Sequence, residues 1–124
     1  MIRIIQFILL LPILSISQIQ INEIFADNGS CCLDDSLETE DFIEIINMSQ
    51  APIDVAGYFF GDGNSGSIIP SGSPELTTIN GGGLLLLWFD EDPEQGPLHI
   101  DAKLSSGGES IIAVSEQGDT IFNI

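Results

Sequence analysis

Basic side chains are almost missing from this chain. Arg3 and Lys103 are the only two, set against nineteen Asp and Glu, and the formal net charge is −17. Phosphate backbones are held chiefly by Lys and Arg, so nucleic acid is a poor partner, and so is an anionic membrane surface. Histidine occurs once, at His99, and tryptophan once, at Trp88. A hydrolytic triad needs a nucleophile held beside its histidine by a third group. Cys31 or Cys32 with His99 is formally such a pair, but nothing in the sequence brings them together, and no enzyme is expected. The two cysteines are adjacent, which rules out a long-range clamp between them. A strained bond between neighbours, pairing with another chain, or free thiols are the alternatives. Their spacing does not match a zinc site, which wants four Cys and His ligands at fixed intervals. The glycine clusters at residues 61–63 and 81–83 lack the Lys-Ser/Thr and the helix of a phosphate cradle, and read as turns. No apolar stripe of period 3.6 runs through residues 18–124. A helix bundle, or a parallel sheet covered by helices, is therefore not expected.

What is present begins with a leader. Residues 1–3 carry one positive charge, residues 4–14 are apolar apart from Gln6 and Pro12, and Ser15-Ile16-Ser17 offers small residues for a signal peptidase. The expectation is a secretory signal over residues 1–17, cleaved before Gln18, and a secreted or cell-surface location. The apolar run is well short of the about 20 residues a helix needs to span a bilayer, so no transmembrane segment is expected after cleavage. Residues 18–124 then form one domain in which Lys103 is the only cation.

The centre of that domain is Asp41-Phe42-Ile43-Glu44-Ile45-Ile46-Asn47, continuing through Pro52-Ile53-Asp54-Val55-Ala56-Gly57-Tyr58. Ile43 and Ile45 alternate with Phe42, Glu44 and Ile46, which is the signature of a strand with one aliphatic face. Residues 47–52 hold turn-formers and a proline. Ile53 and Val55 resume the alternation, so the stretch reads as strand, turn, strand, with Gly57 at a bend and Phe59-Phe60 prolonging the second strand. Residues 18–25 predict a first strand whose phase shifts near Glu23, the mark of a bulge. Residues 26–40 are a long loop, and residues 61–74 another with a short strand at Ile68-Ile69. Residues 75–79 predict a short strand. The run Leu84-Leu85-Leu86-Leu87-Trp88-Phe89 predicts a strand buried on both faces. Residues 98–104, 109–115 and 120–124 complete a set of about seven or eight short strands separated by turns, the pattern of an antiparallel sandwich.

Candidate chemistry lies in the acids. Asp34, Asp35, Glu38 and Asp41 fall within one loop and could supply oxygen ligands to Ca2+, although they lack EF-hand spacing. Asp90, Glu91, Asp92 and Glu94 form a second, weaker cluster. Paired carboxylates can cleave glycosidic bonds, but that also demands a substrate-sized cleft. His99 shares a strand face with Asp101, an arrangement that would allow a His–carboxylate contact. Trp88 and Phe89 belong to the core rather than to a sugar-stacking platform. Asn28-Gly29-Ser30 and Asn47-Met48-Ser49 are glycosylation sequons.

Taken in order, these segments resemble the lamin tail domain in the form found on secreted bacterial proteins. The likeness is carried by Ile21-Asn22-Glu23-Ile24, then Asp41-Phe42-Ile43-Glu44-Ile45 with Asn47, then Ile53-Asp54-Val55 with Gly57-Tyr58. It continues with Ile79, Gly82-Gly83 and Asp90, then His99, Lys103-Leu104-Ser105, Gly108-Glu109 and Gly118-Asp119. Phe42 stands where the family commonly has tryptophan. The resemblance implies an immunoglobulin-like antiparallel β-sandwich, a size the domain fits. It implies a non-enzymatic interaction or adhesion module, an accessory domain of a larger extracellular protein, binding a protein or glycan. Ile124 falls where the family's last strand is still in progress, so a C-terminally truncated domain is expected. The nuclear members' chromatin role does not transfer, because the basic surface is missing. The alternative expectation is a calcium-dependent carbohydrate-binding module.

Overall fold

Side-chain alternation decides which way each strand faces, and in the computed structural model it builds an all-β sandwich. Residues 18–105 and 110–124 are described; the expected leader, residues 1–17, lies outside them, as do Gly108 and Glu109. The strands are β1 (Ile19–Phe25), β2 (Phe42–Asn47), β3 (Ile53–Asp54), β4 (Phe59–Gly61) and β5 (Gly66–Ile68), then β6 (Thr78–Ile79), β7 (Leu84–Phe89), β8 (His99–Ile100), β9 (Ile112–Val114) and β10 (Thr120–Asn123). One sheet runs β1-β2-β7-β8, a second runs β10-β9-β4-β5, and β3 with β6 forms a two-stranded ribbon. Ten described strands, rather than seven or eight, arise because turns cut several of them to two or three residues.

The core lies between the sheets. Ile43 and Ile45 on β2, Leu87 and Phe89 on β7 and Ile100 on β8 meet Phe60, Ala113, Val55 and Ile79 in one buried cluster. The expected bulge in β1 is present: the register with β2 shifts between Ile21 and Glu23. Its effect is to place Ile21 and Ile24, which differ in parity, opposite Ile45 and Ile43 on the same sheet face. Phe25 then falls on the other face, opposite Phe42.

That outer face of the first sheet is also apolar. Phe25 stacks on Phe42 at 5.3 Å, Phe42 meets Trp88 edge-on at 5.4 Å, and Trp88 is the cross-strand partner of His99. Phe42, Trp88 and His99 are all buried, although this face points away from the second sheet.

Several expectations are corrected. Residues 41–58 are not a hairpin: β2 pairs with β1 and β7, while β3 pairs with β6. The cause is Asn47, fully buried. Its amide donates to the carbonyls of Ala51 and Ile79 at 2.8 and 2.9 Å, and its Oδ1 accepts from Ser49 N–H and Oγ–H. At Gly81 a Cβ would lie 2.5 Å from the Gln50 carbonyl oxygen. The turn after β2 is thereby sewn against residues 79–81 and directs the chain to β6. The second strand does not continue through Phe60 either. Gly57, at φ +86°, turns the chain, and Phe59–Gly61 enters the other sheet between β5 and β9.

Residues 75–79 are a helical turn, Pro74–Thr77, followed by the two-residue β6. Proline suits the first turn of a helix, and the Thr77 hydroxyl donates to Asp54 at 2.6 Å, fastening the turn to β3. Thr77 and the Ala56 N–H together hold the Asp54 carboxyl below its ordinary pKa. The apolar run of β7 is buried on both faces only at its far end, Leu87–Phe89; Leu84 is 53% exposed. The strand expected over residues 98–104 is only His99–Ile100, and it runs parallel to β7 rather than antiparallel. It stops because the Ala102 N–H folds back on the Ile100 carbonyl at 2.8 Å.

Ile45→Ala should cost about 2–5 kcal/mol by denaturant unfolding, the usual range for truncating a buried isoleucine. Leu84→Ala, at the next pair of the same ladder but on the outer face and half exposed, should stay within about 0.5 kcal/mol.

Candidate functional site

The long loop over residues 26–41 is organised by two side chains. Asn28 donates through its amide to the Cys32 and Glu40 carbonyls at 3.2 and 2.9 Å, and its Oδ1 accepts the Cys31 N–H. Its own N–H goes to Asp41 Oδ1 at 3.0 Å. The start of the loop is thus tied to its end. Asp34 closes the tip: Oδ1 accepts the N–H groups of Ser36 and Glu38, both at 2.9 Å. Leu37 takes the left-handed backbone there, at φ +63°. Cys31 and Cys32 are bonded to each other, the strained neighbour bond among the alternatives.

The other half of the site comes from the sheet. Asp90 follows the last residue of β7, and His99 opens β8 beside Trp88. The Asp90 Oδ1 accepts the Asp92 N–H at 3.0 Å and bends the chain into the 3₁₀ turn Pro93–Gln95. Its Oδ2 meets His99 Nδ1 at 2.5 Å, and His99 Nε2 meets Asp35 Oδ1 at 2.8 Å. The His99 and Asp90 side chains are almost wholly buried, whereas that of Asp35 is 69% exposed. Burial alone would push the imidazole pKa down. The bonds to Asp90 and Asp35 outweigh it, and His99 titrates above an ordinary histidine. Glu40 is pushed up by its own burial, and then by the charges of Asp90, Glu38, Asp34 and Asp92.

The acids expected to act as one group are divided. Asp34 and Asp35 reach His99 and Asp90; Asp41 is spent on Asn28, and Glu38 faces Gln95 at the surface, 3.3 Å away. From the second cluster Asp90 goes inward. Asp92 lies 3.5 Å from the Gln95 amide, and Glu91 lies 3.8 Å from Lys103. Glu94 is exposed. His99 does not contact Asp101, which is exposed, because β8 ends at Ile100 before the expected face can form. Among the described residues, Asp34, Asp90 and His99 place one ligand atom each within 4.8 Å of one another. Asp34 Oδ2 is buried and has no hydrogen-bond partner among the described residues. Sequence reading missed this trio because its members lie 65 residues apart in the chain at the extreme, between Asp34 and His99. The available signal was polar residues set directly against apolar ones, Asp90 after Phe89 and His99 between Leu98 and Ile100. Both sequon asparagines, Asn28 and Asn47, are buried.

Beside the trio is a cleft of about 310 Å³. Leu33, Trp88, Pro97 and Leu98 supply apolar wall, and Asp34, Asp35 and His99 supply the polar part. Among the described residues no helix is long and apolar enough to cross a membrane. No known protein family, characterised protein or solved structure matches the chain.

Asp90→Asn removes one member of a buried ion pair and should cost about 3–5 kcal/mol in denaturant unfolding, with faster amide exchange over residues 28–40. Asp35→Asn weakens a contact whose carboxylate end is exposed and should cost at most about 1 kcal/mol.

Proposed function

We propose that this chain is an extracellular, non-enzymatic interaction module that takes a basic, partly apolar segment of a partner protein in the cleft beside Trp88. One observation carries the reading: an apolar-walled cleft opens next to the exposed carboxylate of Asp35 on a chain of net charge −17. A lysine or arginine is the ligand group that fits both parts, with its methylene stem on Leu33 and Leu98 and its charge on the acids.

Kinship with secreted lamin tail domains, secretion through the leader, and attachment to a larger extracellular protein belong to the same proposal. They rest on the sequence motifs. The non-enzymatic part is supported by His99, both of whose ring nitrogens are taken by carboxylates. It is supported also by the cysteines, whose sulfurs are bonded to each other. A calcium-dependent carbohydrate module has less support. Trp88 is 7% exposed and offers little stacking surface, and Asp41 and Glu38 are directed elsewhere.

Trp88 is the sole tryptophan, so its emission reports on the cleft alone. A Lys/Leu-rich peptide should shift that emission saturably, and Asp35→Asn should weaken the response. Raising the salt to about 1 M, where the screening length is roughly 3 Å, should weaken it too. A Glu/Leu-rich peptide should leave it unchanged. An emission indifferent to the basic peptide removes the reading.

A further inference from the structure

We propose that Asp34, Asp90 and His99 form a binding site for a divalent transition-metal ion, with Zn2+ the ion of best fit. The three side chains come from separate parts of the chain, the tip of the covering loop and the adjoining ends of β7 and β8, yet their ligand atoms converge within 4.8 Å. All three residues are buried.

A cluster of acids alone would not carry this. The second observation is Asp34, which is 5% exposed and whose Oδ2 has no donor among the described residues. Its other oxygen is already spent on the Ser36 and Glu38 N–H groups. A buried carboxylate oxygen without a partner is costly, and a cation is the partner its position invites. Charge points the same way. Asp34, Asp35 and Asp90 surround one imidazole, and the Lys103 ammonium lies at the surface beside Glu91. Even a protonated His99 leaves the group negative, and a dication would balance it.

The ligand types select the ion. One imidazole nitrogen with carboxylate oxygens suits Zn2+, commonly with three protein ligands and a fourth position left for water. Ca2+ wants six to eight oxygens and gains little from a nitrogen. On binding, Nδ1 of His99 would give up its proton to solvent, and the Asp90–His99 contact would open to admit the ion. Asp35 would continue to accept the Nε2–H, which is how carboxylates behind metal-bound histidines fix the tautomer. The inference goes beyond the partner reading and does not rest on it, since the apolar walls and the exposed Asp35 edge stay free when the ion is bound.

The test uses chelator-treated protein titrated with Zn2+, by calorimetry and by NMR of the imidazole nitrogens. His99 is the one histidine in the chain, so its ring signals are unambiguous. Expected are stoichiometric binding, a shift of the Nδ1 resonance and a raised melting temperature. Asp34→Asn keeps an oxygen for the two N–H groups and should weaken binding roughly tenfold or more. Ring signals that ignore Zn2+, affinity that survives Asp34→Asn in a folded variant, or an equal response to Ca2+ would each overturn the assignment. Should Asp34→Asn not fold, the ring shift of the unaltered protein with Zn2+ against Ca2+ decides alone.

Discussion

The ladder between β2 and β7 sets both faces of the first sheet at once. It turns Ile43, Ile45 and Leu87 toward the second sheet and Phe42 and Trp88 away from it. A slip of one residue would exchange the two sets and push Glu44 into the core. With the register held, the outer face carries a row of aromatic side chains that needs cover. The loop over residues 26–41 lies over that face, and it is fastened by polar atoms: Asn28 within the loop, and Asp35 on His99 across to the sheet. The site is therefore a consequence of the sheet having two apolar faces and only one partner sheet.

The sandwich was legible because β2 keeps period two and turn chemistry separates it from many other short apolar segments. Ile43 and Ile45 announce the core face of β2, and the change of phase at Glu23 announces the bulge that the structure has. The pairing was not legible. Residues 47–52 read as a hairpin turn because proline and turn-formers say only that the chain bends, not where it goes. The direction was set by a buried asparagine reaching Ile79 and by the absence of a side chain at Gly81, both contacts with distant sequence. The parallel β8 was likewise hidden, since two residues are too few to show any period.

The site was half legible for a related reason. Acid density marked the right loop, and Asp34 and Asp35 do reach the centre. Density could not separate them from Glu38 and Asp41, because the difference lies in which carboxylate the tight turn at Leu37 directs inward. His99 was linked to the wrong acid. Strand alternation favours Asp101, but alternation holds only while the strand lasts, and this one ends at the next residue. Burial beside Trp88 gave His99 its true partners instead.

The two sequon asparagines have a bearing on how this chain can be made. Asn28 fastens the loop ends and Asn47 fastens the turn after β2, and each uses its amide nitrogen, the atom to which a sugar would be attached, for internal bonds. An oligosaccharide on either is incompatible with the turn it holds. In a eukaryotic secretory host, glycan transfer to the emerging polypeptide would compete with folding, whereas a host without that machinery leaves both knots free to close.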